Sequence, residues 1–219
     1  MAVSASNGRE SLADQAYDLV EHMIETLELQ PGTVFSEVEL SQRIGIGRTP
    51  LREALQRLAG DRLVVALPRR GMMVTEINGS EYLALLDTRR VLDSLIAVRA
   101  CRRSTPEQRR SLKKCADEIR SAAVEGDMDA FMRLDRSCDD ILEKSARNPF
   151  AAQSVAPLHA HCRRFWSMYK HNGDLTQSAT LHAAIMEAVA DAEENRAREA
   201  SDRLIDYLER FTREALELI

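Results

Sequence analysis

The stretch PGTVFSEVELSQRIGIGRTPLREALQRLAGDRLV, at residues 31–64, decides the fold of the N-terminal part of this chain. Within it, Ser36 followed three residues later by Glu39 forms a capping box, which predicts the start of a short helix. Gly45 ends that helix in a turn, and the next helix begins near Gly47. The sequence therefore predicts two short helices joined by a tight turn, which is the arrangement of a helix-turn-helix.

The segments on either side of this stretch complete the pattern. Upstream, apolar residues recur at three- and four-residue steps from Leu12 to Leu27, which predicts one face of a helix. Downstream, the β-rich segments 63–68 and 72–77 are joined by a basic, glycine-containing turn, which predicts a hairpin. The order helix, helix, turn, helix, hairpin is that of a winged helix-turn-helix.

The rest of the chain is predicted to be helical. No strand pattern follows Asn78-Gly79-Ser80, so we expect an antiparallel bundle of about six helices. The predicted helices cover residues 80–103, 106–125, 127–146, 149–171, 175–193 and 195–218. We therefore expect a mainly α protein with a disordered lead-in at 1–10, a winged helix-turn-helix domain at 11–77 and an all-helical domain at 80–219.

Composition excludes several classes of protein. The chain has 219 residues, of which 44% are hydrophobic and 30% are charged, and this is enough to build a core. No apolar run approaches the roughly 20 residues that a membrane span needs, and the N-terminus lacks the apolar segment of a signal peptide. We therefore expect a cytoplasmic protein with no membrane partner.

Four cysteines, Cys101, Cys115, Cys138 and Cys162, lie far apart in the sequence without a CxxC pair. This spacing argues against a zinc ribbon and against a redox dithiol, since both need closely spaced pairs. We expect four buried or half-buried free thiols.

The net charge of −5 by itself argues weakly against a nucleic-acid partner, but the charges are unevenly distributed. Residues 43–70 carry seven arginines against Glu53 and Asp61, a local net charge of +5. A localised basic patch is the electrostatic signature of contact with phosphate. This patch coincides with the predicted helix-turn-helix.

The opening stretch, followed by PRRGMMV at 68–74, resembles the DNA-binding domain of GntR-family transcription regulators. The family motif is an entry turn PG, then SE-x-EL, then a G-V-S-R-T-P-V-R-E-A-L recognition helix and a glycine-bearing wing, and residues 12–77 follow it. The helical remainder resembles the effector domain of the FadR-like branch through LDRSCDDILEKSARNP at 134–149 and LHAAIMEAVADAEENRAREA at 181–200. Gly47 stands where the family usually has serine, so a hydroxyl contact to phosphate is lost.

This resemblance and the physical chemistry point to the same DNA-contacting residues. The first side chains of a recognition helix face base edges in the major groove, where arginine pairs bidentately with guanine. A wing tip approaches the adjacent minor groove, and a basic residue of the preceding helix contacts phosphate. The expected DNA-binding residues are Arg43, Arg48, Thr49, Arg52, Arg70 and Gly71.

Many members of the FadR-like branch hold a divalent metal ion, and the resemblance places the ligands here at Asp135, Asp139, His182 and about Leu204. The second of these positions usually carries histidine, and leucine cannot coordinate, so the implied site is degenerate. Asp135, Asp139 and His182 could still hold a metal through two oxygens and one nitrogen. In the alternative, the aspartates form ion pairs inside the bundle and His182 is a polar pocket residue.

Basic and aromatic side chains on otherwise apolar helices suggest a pocket for a small organic acid, because guanidinium pairs bidentately with carboxylate. The candidate effector-binding residues are Arg89, Asp135, Arg163, Trp166 and His182. As an alternative, each arginine is an ordinary surface or interface residue and Trp166 belongs to the core.

The resemblance implies a homodimeric regulator that binds double-stranded operator DNA and responds to a small organic acid. We expect a repressor, although an activator stays open at this point. The rival class is an enzyme, such as a metal-dependent hydrolase built on the bundle, but the chain has no nucleophile elbow, P-loop or Gly-rich dinucleotide turn. An architectural DNA binder would leave the helical domain unexplained.

Overall fold

The computed structural model describes residues 11–170 and 173–217, which divide into two compact units. The first unit ends at Ile77 and the second begins at Asn78. The expected lead-in at 1–10 lies outside the described residues. Positions 171 and 218, where two predicted helices end, also lie outside them, together with the adjacent positions 172 and 219. The predicted fold class, a winged helix-turn-helix followed by a helical bundle, is confirmed.

The described part of the first unit contains three helices and a small sheet in the predicted order. Its elements are α1 (Leu12–Glu25), β1 (Val34–Phe35), α2 (Glu37–Ile44), α3 (Arg48–Gly60), β2 (Val64–Leu67) and β3 (Gly71–Val74). The capping box is formed, since the N–H of Glu39 donates to Oγ of Ser36 at 3.1 Å. Gly45 ends α2 with φ 70°, a left-handed conformation that glycine adopts without steric cost.

The sheet has three strands in the order β1-β3-β2, and both neighbouring pairs are antiparallel. β2 and β3 form the predicted hairpin, in register from Val64 opposite Val74 to Leu67 opposite Gly71. The sequence does not predict β1, because two residues are too few to show an alternating pattern. By pairing with β3, β1 ties the wing to the segment that precedes α2.

The apolar faces of α1 and α3 form the core of the first unit. Its most deeply buried side chains include Val20, Ile24, Leu40, Leu51, Leu55, Leu58, Leu63 and Val74. Tyr17 of α1 donates its O–H to Asp61, just beyond α3, at 2.8 Å. Packing therefore holds α3 by its inner side and leaves its outer side exposed.

The second unit is a bundle of long helices. They are α4 (Gly79–Arg103), α5 (Pro106–Glu125), α6 (Met128–Ala146), α7 (Pro149–Tyr169), α8 (Leu175–Ala190) and α9 (Glu194–Glu217). α4 packs against α6, α7 and α9, and α5 packs against α6 and α8. Within the described ranges, no helix combines the length and the apolar character that crossing a membrane requires.

The prediction of four free thiols is wrong for two cysteines. Cys115 on α5 and Cys138 on α6 form a disulfide, with Cα atoms 6.6 Å apart. The sequence hides this pair, because 23 positions separate the two residues and only the packing of α5 against α6 brings them together. Cys101 and Cys162 are free and buried, as predicted.

We expect Gly71→Ala to destabilise the first unit, because Gly71 has φ 99° and an added Cβ would collide with the carbonyl oxygen of Phe35 in β1. The free energy of unfolding should fall by about 1–3 kcal/mol. Gly45→Ala is the matched control, since φ is 70° there but an added Cβ meets nothing within 4 Å. Urea unfolding measures both losses, and equal losses would contradict a steric role for Gly71.

Candidate functional site

The N-terminus of α3 presents three of the expected DNA-contacting side chains, and all three are exposed: Arg48, Thr49 and Arg52. The turn before α3 is closed by Ser41, whose Oγ donates to the carbonyl oxygen of Ile46 at 2.6 Å. Gly47 caps α3 without a side-chain hydrogen bond. The first N–H groups of α3 are therefore available to an anion such as phosphate.

Two of the expected DNA contacts form ion pairs with neighbouring carboxylates. Arg52 of α3 donates to Oε2 of Glu37 in α2, from Nε at 3.1 Å and from Nη2 at 2.7 Å. This hydrogen bonding lowers the pKa of Glu37 below its ordinary value. Arg43 at the end of α2 pairs with Glu28. Both pairs lie at the surface, where solvent and salt weaken them.

The wing tip lies between β2 and β3. Arg69 and Arg70 are exposed there, and Gly71 begins β3. The N–H of Arg70 donates to the carbonyl oxygen of Leu67 at 3.1 Å, which closes the turn. Two adjacent guanidinium groups therefore stand at the tip, of which the sequence analysis named only Arg70.

A second candidate site lies inside the helical unit, where polar side chains from five helices meet. They are Arg89 and Asp93 of α4, Asp135, Asp139 and Glu143 of α6, His159, Arg163 and Trp166 of α7, His182 of α8 and Ser201 of α9. These residues are far apart in the sequence, and the packing of the helices brings them to one place.

Arg163 lies between two carboxylates of α6. Its Nε donates to Oδ2 of Asp135 at 2.8 Å, and its Nη2 donates to Oδ2 of Asp139. The two aspartates share one face of α6 because they are four residues apart. Arg163 is only 7% exposed, so its charge is shielded from solvent and satisfied by these side chains.

His182 faces acceptor oxygens with both ring nitrogens. Nδ1 lies 2.8 Å from the carbonyl oxygen of Ser178, and Nε2 lies 3.0 Å from Oδ1 of Asp135. Burial lowers the pKa of His182, but the carboxylates of Asp135 and Asp139 and the carbonyl group of Ser178 raise it, and the net shift is above the ordinary value. Both oxygen atoms are acceptors, so this arrangement favours the protonated imidazole, which can donate from both nitrogens.

A further charge cluster joins α4 to α6 and α7. Oδ2 of Asp93 lies 2.9 Å from Nη2 of Arg89, and Oδ1 of Asp93 lies 2.9 Å from Nε2 of His159. Nδ1 of His159 lies 3.1 Å from Asp139 and 3.5 Å from Glu143. Although burial lowers the pKa of His159, the carboxylate of Asp139 raises it, and the net shift is well above the ordinary value.

Two adjacent cavities, each of about 40 Å³, lie beside these clusters. They share four polar lining residues: Arg89, Asp139, His159 and His182. The first cavity also has an apolar wall that includes Ile96, Leu142, Ile185, Met186 and Leu204. Each cavity thus combines charged groups with a hydrocarbon surface, as small-molecule sites commonly do.

Two buried donors that line the cavities have neither a hydrogen-bond partner nor an ion-pair partner within the described part of the chain. They are Oγ of Ser201 in the first cavity and Nε1 of Trp166 in the second. An unsatisfied buried polar group costs about 1–3 kcal/mol. Both groups are therefore suited to bind acceptor atoms of a molecule in the cavities.

The metal site implied by the resemblance does not fit a metal ion. Asp135 and Asp139 direct their carboxylates to Arg163, and Leu204 at the fourth position is a buried hydrocarbon side chain. Residues 11–170 and 173–217 contain no group of three His, Cys, Asp or Glu side chains placed to hold a metal. Asp135, Asp139 and His182 instead contact side chains of the chain itself, as in the ion-pair alternative for these residues.

All five expected effector-binding residues line the cavities: Arg89, Asp135, Arg163, Trp166 and His182. Four further residues line the first cavity but were not among the expected binding residues: Asp93, Glu143, His159 and Ser201. The first three carry a signal, since each lies four residues from a named candidate and so shares its helix face. Ser201 carries none, because one serine on an amphipathic helix looks the same whether it faces solvent or a cavity.

Comparisons with known proteins agree with these two units. Bacterial regulatory proteins of the gntR family match residues 12–74, and the FCD domain matches residues 84–207. The chain is 28% identical to the HTH-type transcriptional repressor RspR of Escherichia coli (strain K12) over 154 residues, which cover 70% of this chain and 68% of that protein. It is 25% identical to the HTH-type transcriptional regulator McbR of the same strain over 126 residues, 58% of this chain and 57% of that protein.

Solved structures show the same fold. The structure of E. coli McbR/YncC has a TM-score of 0.82 at 16% identity and covers 96% of this chain and 100% of that chain. A putative transcriptional regulator GntR from Rhodococcus sp. RHA1 has a TM-score of 0.69 at 19% identity, with 96% and 100% covered.

A winged helix-turn-helix unit followed by a helical effector-binding domain defines a ligand-responsive, DNA-binding transcription regulator. The chain belongs to the GntR family, and its helical unit is an FCD domain, which fits the expected FadR-like branch. The family and the relatives above are transcription regulators, so the enzyme alternative is set aside.

Proposed function

We propose that this protein contacts the bases of operator DNA with the N-terminus of α3 and the flanking DNA with the wing. Both elements lie within the domain at residues 11–77. The observation that carries the proposal is the set of exposed side chains at these two places: Arg48, Thr49, Arg52 and Arg70. An α-helix in the major groove contacts base edges with its first residues, and guanidinium groups at a wing tip suit the minor groove. Arg43 would contact a backbone phosphate.

In this proposal the ion pair with Glu37 orients the side chain of Arg52 before it enters the major groove. A guanidinium held at 2.7 Å by a carboxylate has fewer rotamers to lose when it binds a base. Because the pair is exposed, exchanging the carboxylate for a base edge or a phosphate costs little. Gly71 allows the close approach of the wing backbone to the segment before α2.

We expect Arg48→Ala and Arg52→Ala each to weaken operator binding by about 1–3 kcal/mol. Where the removed arginine contacts a base, the variant should also lose sequence preference at that base pair. Arg57→Ala is the matched control on the same helix, because Arg57 pairs with Asp14 at 2.8 Å and lies 4.4 Å from the ring centre of Tyr17. Fluorescence anisotropy on duplexes enriched by the wild type, at fixed salt, measures these effects. Unchanged affinity in the Arg48→Ala/Arg52→Ala double variant would contradict the proposal.

We also propose a homodimer formed through the helical domain at residues 80–219. In the central part of α4, from Ala84 to Leu95, the exposed residues are Ala84, Asp87, Thr88, Val91 and Leu95, of which only Asp87 is charged. Val91 is 69% exposed and Leu95 is 41% exposed, four residues apart on one stripe. A second copy of this chain would cover the stripe. Two copies would present two recognition helices to half-sites about 34–36 Å apart, or a multiple of that distance.

The double variant Val91→Glu/Leu95→Glu should be monomeric, because four charges would meet across the proposed interface of two chains. Val124→Glu on α5 is the control, since Val124 is 80% exposed away from this stripe. Sedimentation velocity at micromolar concentration gives the oligomeric state. A wild type that stays monomeric with and without DNA would rule the dimer out. A double variant that stays dimeric would show that α4 is not the interface.

The effector is, in our proposal, a small organic acid that enters the two cavities of the helical domain. Arg89, His159 and His182 supply positive charge at the cavity walls, and the unpaired donors of Ser201 and Trp166 would bind carboxylate or carbonyl oxygens. The cavities are small, so the acid must be compact. Its binding would change DNA affinity only by its preference for one arrangement of the regulator, typically about 1–3 kcal/mol.

We propose repression of the regulated genes, with release by the acid. Support comes from the relative RspR, which is named a transcriptional repressor. Binding to operator DNA would place this activity in the cytoplasm.

Ser201→Ala should weaken binding of the acid by about ten- to a hundredfold, because a hydrogen bond to a charged group contributes about 1.5–3 kcal/mol. Ser145→Ala is the matched control: the Oγ of Ser145 is also buried and unpaired among the described residues, but Ser145 is outside both cavity linings. Titration calorimetry with a panel of organic acids measures both. Equal affinities for wild type and Ser201→Ala would place the acid elsewhere.

A further inference from the structure

The place where the family resemblance implies a divalent metal ion contains a cation that belongs to the chain itself. We infer that the guanidinium of Arg163 is the resident cation of this cavity, in place of a divalent metal, and that the site binds its carboxylate ligand without metal. The second half of this inference rests on the proposed sensing of an organic acid, whereas the first half does not.

The geometry of Arg163 carries the inference. Its Nε and Nη2 donate to Asp135 and Asp139, which are the two oxygen donors that the implied metal site would use. The planar fork of a guanidinium matches carboxylates, and its charge is permanent. A divalent ion at this position would have to displace Arg163 from both aspartates.

The surroundings of Arg163 also oppose a metal ion. Arg163 is 7% exposed, and repulsion between a buried guanidinium and a divalent ion is only weakly screened. Leu204, at the fourth ligand position, is 3% exposed and forms part of the apolar wall. The positive charge of Arg163 and the absence of an imidazole at position 204 therefore both weaken the binding of a metal ion.

A carboxylate ligand would then be held by the chain alone. Arg163 neutralises the aspartates that would otherwise repel an acid, and Arg89 borders both cavities. The unpaired donors of Ser201 and Trp166 complete the polar contacts. A metal-bound site would lose its ligand when the metal is chelated, and this one would not.

The test compares the full-length wild type with Arg163→Ala, Leu204→His, the double variant Arg163→Ala/Leu204→His and the charge-preserving Arg163→Lys. Each protein is incubated with Zn²⁺ and desalted, metal per chain is measured by mass spectrometry, and Zn²⁺ affinity is measured by calorimetry. We expect no stoichiometric zinc in the wild type, in Leu204→His or in Arg163→Lys. The double variant should bind one zinc per chain, at least about tenfold more tightly than Arg163→Ala, because an imidazole is added.

Stoichiometric zinc in the wild type, or in Leu204→His with Arg163 in place, would overturn the inference, since the guanidinium would then not be what excludes metal. Absence of zinc from a folded double variant would overturn it as well. Circular dichroism reports folding. If removing Arg163 unfolds the chain, the wild type, Leu204→His and Arg163→Lys still decide.

The ligand half is tested on the wild type with organic acids, with and without a chelator. Unchanged binding heat with the chelator supports the inference. Binding that disappears on chelation overturns metal independence but leaves acid sensing intact. If no acid binds at all, acid sensing and the ligand half both fail, while the zinc measurements still decide the identity of the resident cation.

Discussion

The helical unit depends on a guanidinium that is held between two carboxylates where its helices meet in the interior. Arg163 of α7 binds Asp135 and Asp139 of α6, and His182 of α8 reaches the same Asp135. Removing one partner of a buried ion pair costs about 3–5 kcal/mol, because the remaining charge has no compensation. The three helices are therefore limited to arrangements in which these charges meet.

The same residue type has the opposite role in the first unit. Arg52 and Arg43 pair with carboxylates at the surface, where such pairs contribute about 0–1 kcal/mol and exchange readily for other partners. An exposed pair can orient a side chain without committing it, which is what a DNA-reading arginine requires. Burial thus distinguishes Arg163, which holds helices together, from Arg43 and Arg52, whose guanidinium groups remain accessible at the surface.

Much of the fold was predictable because its signals are local. The capping box at Ser36 is formed as the sequence indicates, and the predicted hairpin is β2 paired with β3. Two features were missed for the same reason. The two-residue strand β1 and the Cys115–Cys138 disulfide depend on segments that meet only after folding, and neither leaves a periodic pattern in the sequence.

By itself, the sequence determined the order of the helices and the hairpin, the family and the arginines at the start of α3, because capping, periodicity and charge act over a few residues. It also named Asp135, Asp139 and His182, but left open whether they bind a metal or an ion-pair partner. Only the tertiary structure decided that Arg163, 24 residues beyond Asp139, occupies that place. The physical reason is that a buried carboxylate pairs with the cation that the packing of neighbouring helices places next to it. The spacing of residues within one helix does not determine which cation that is.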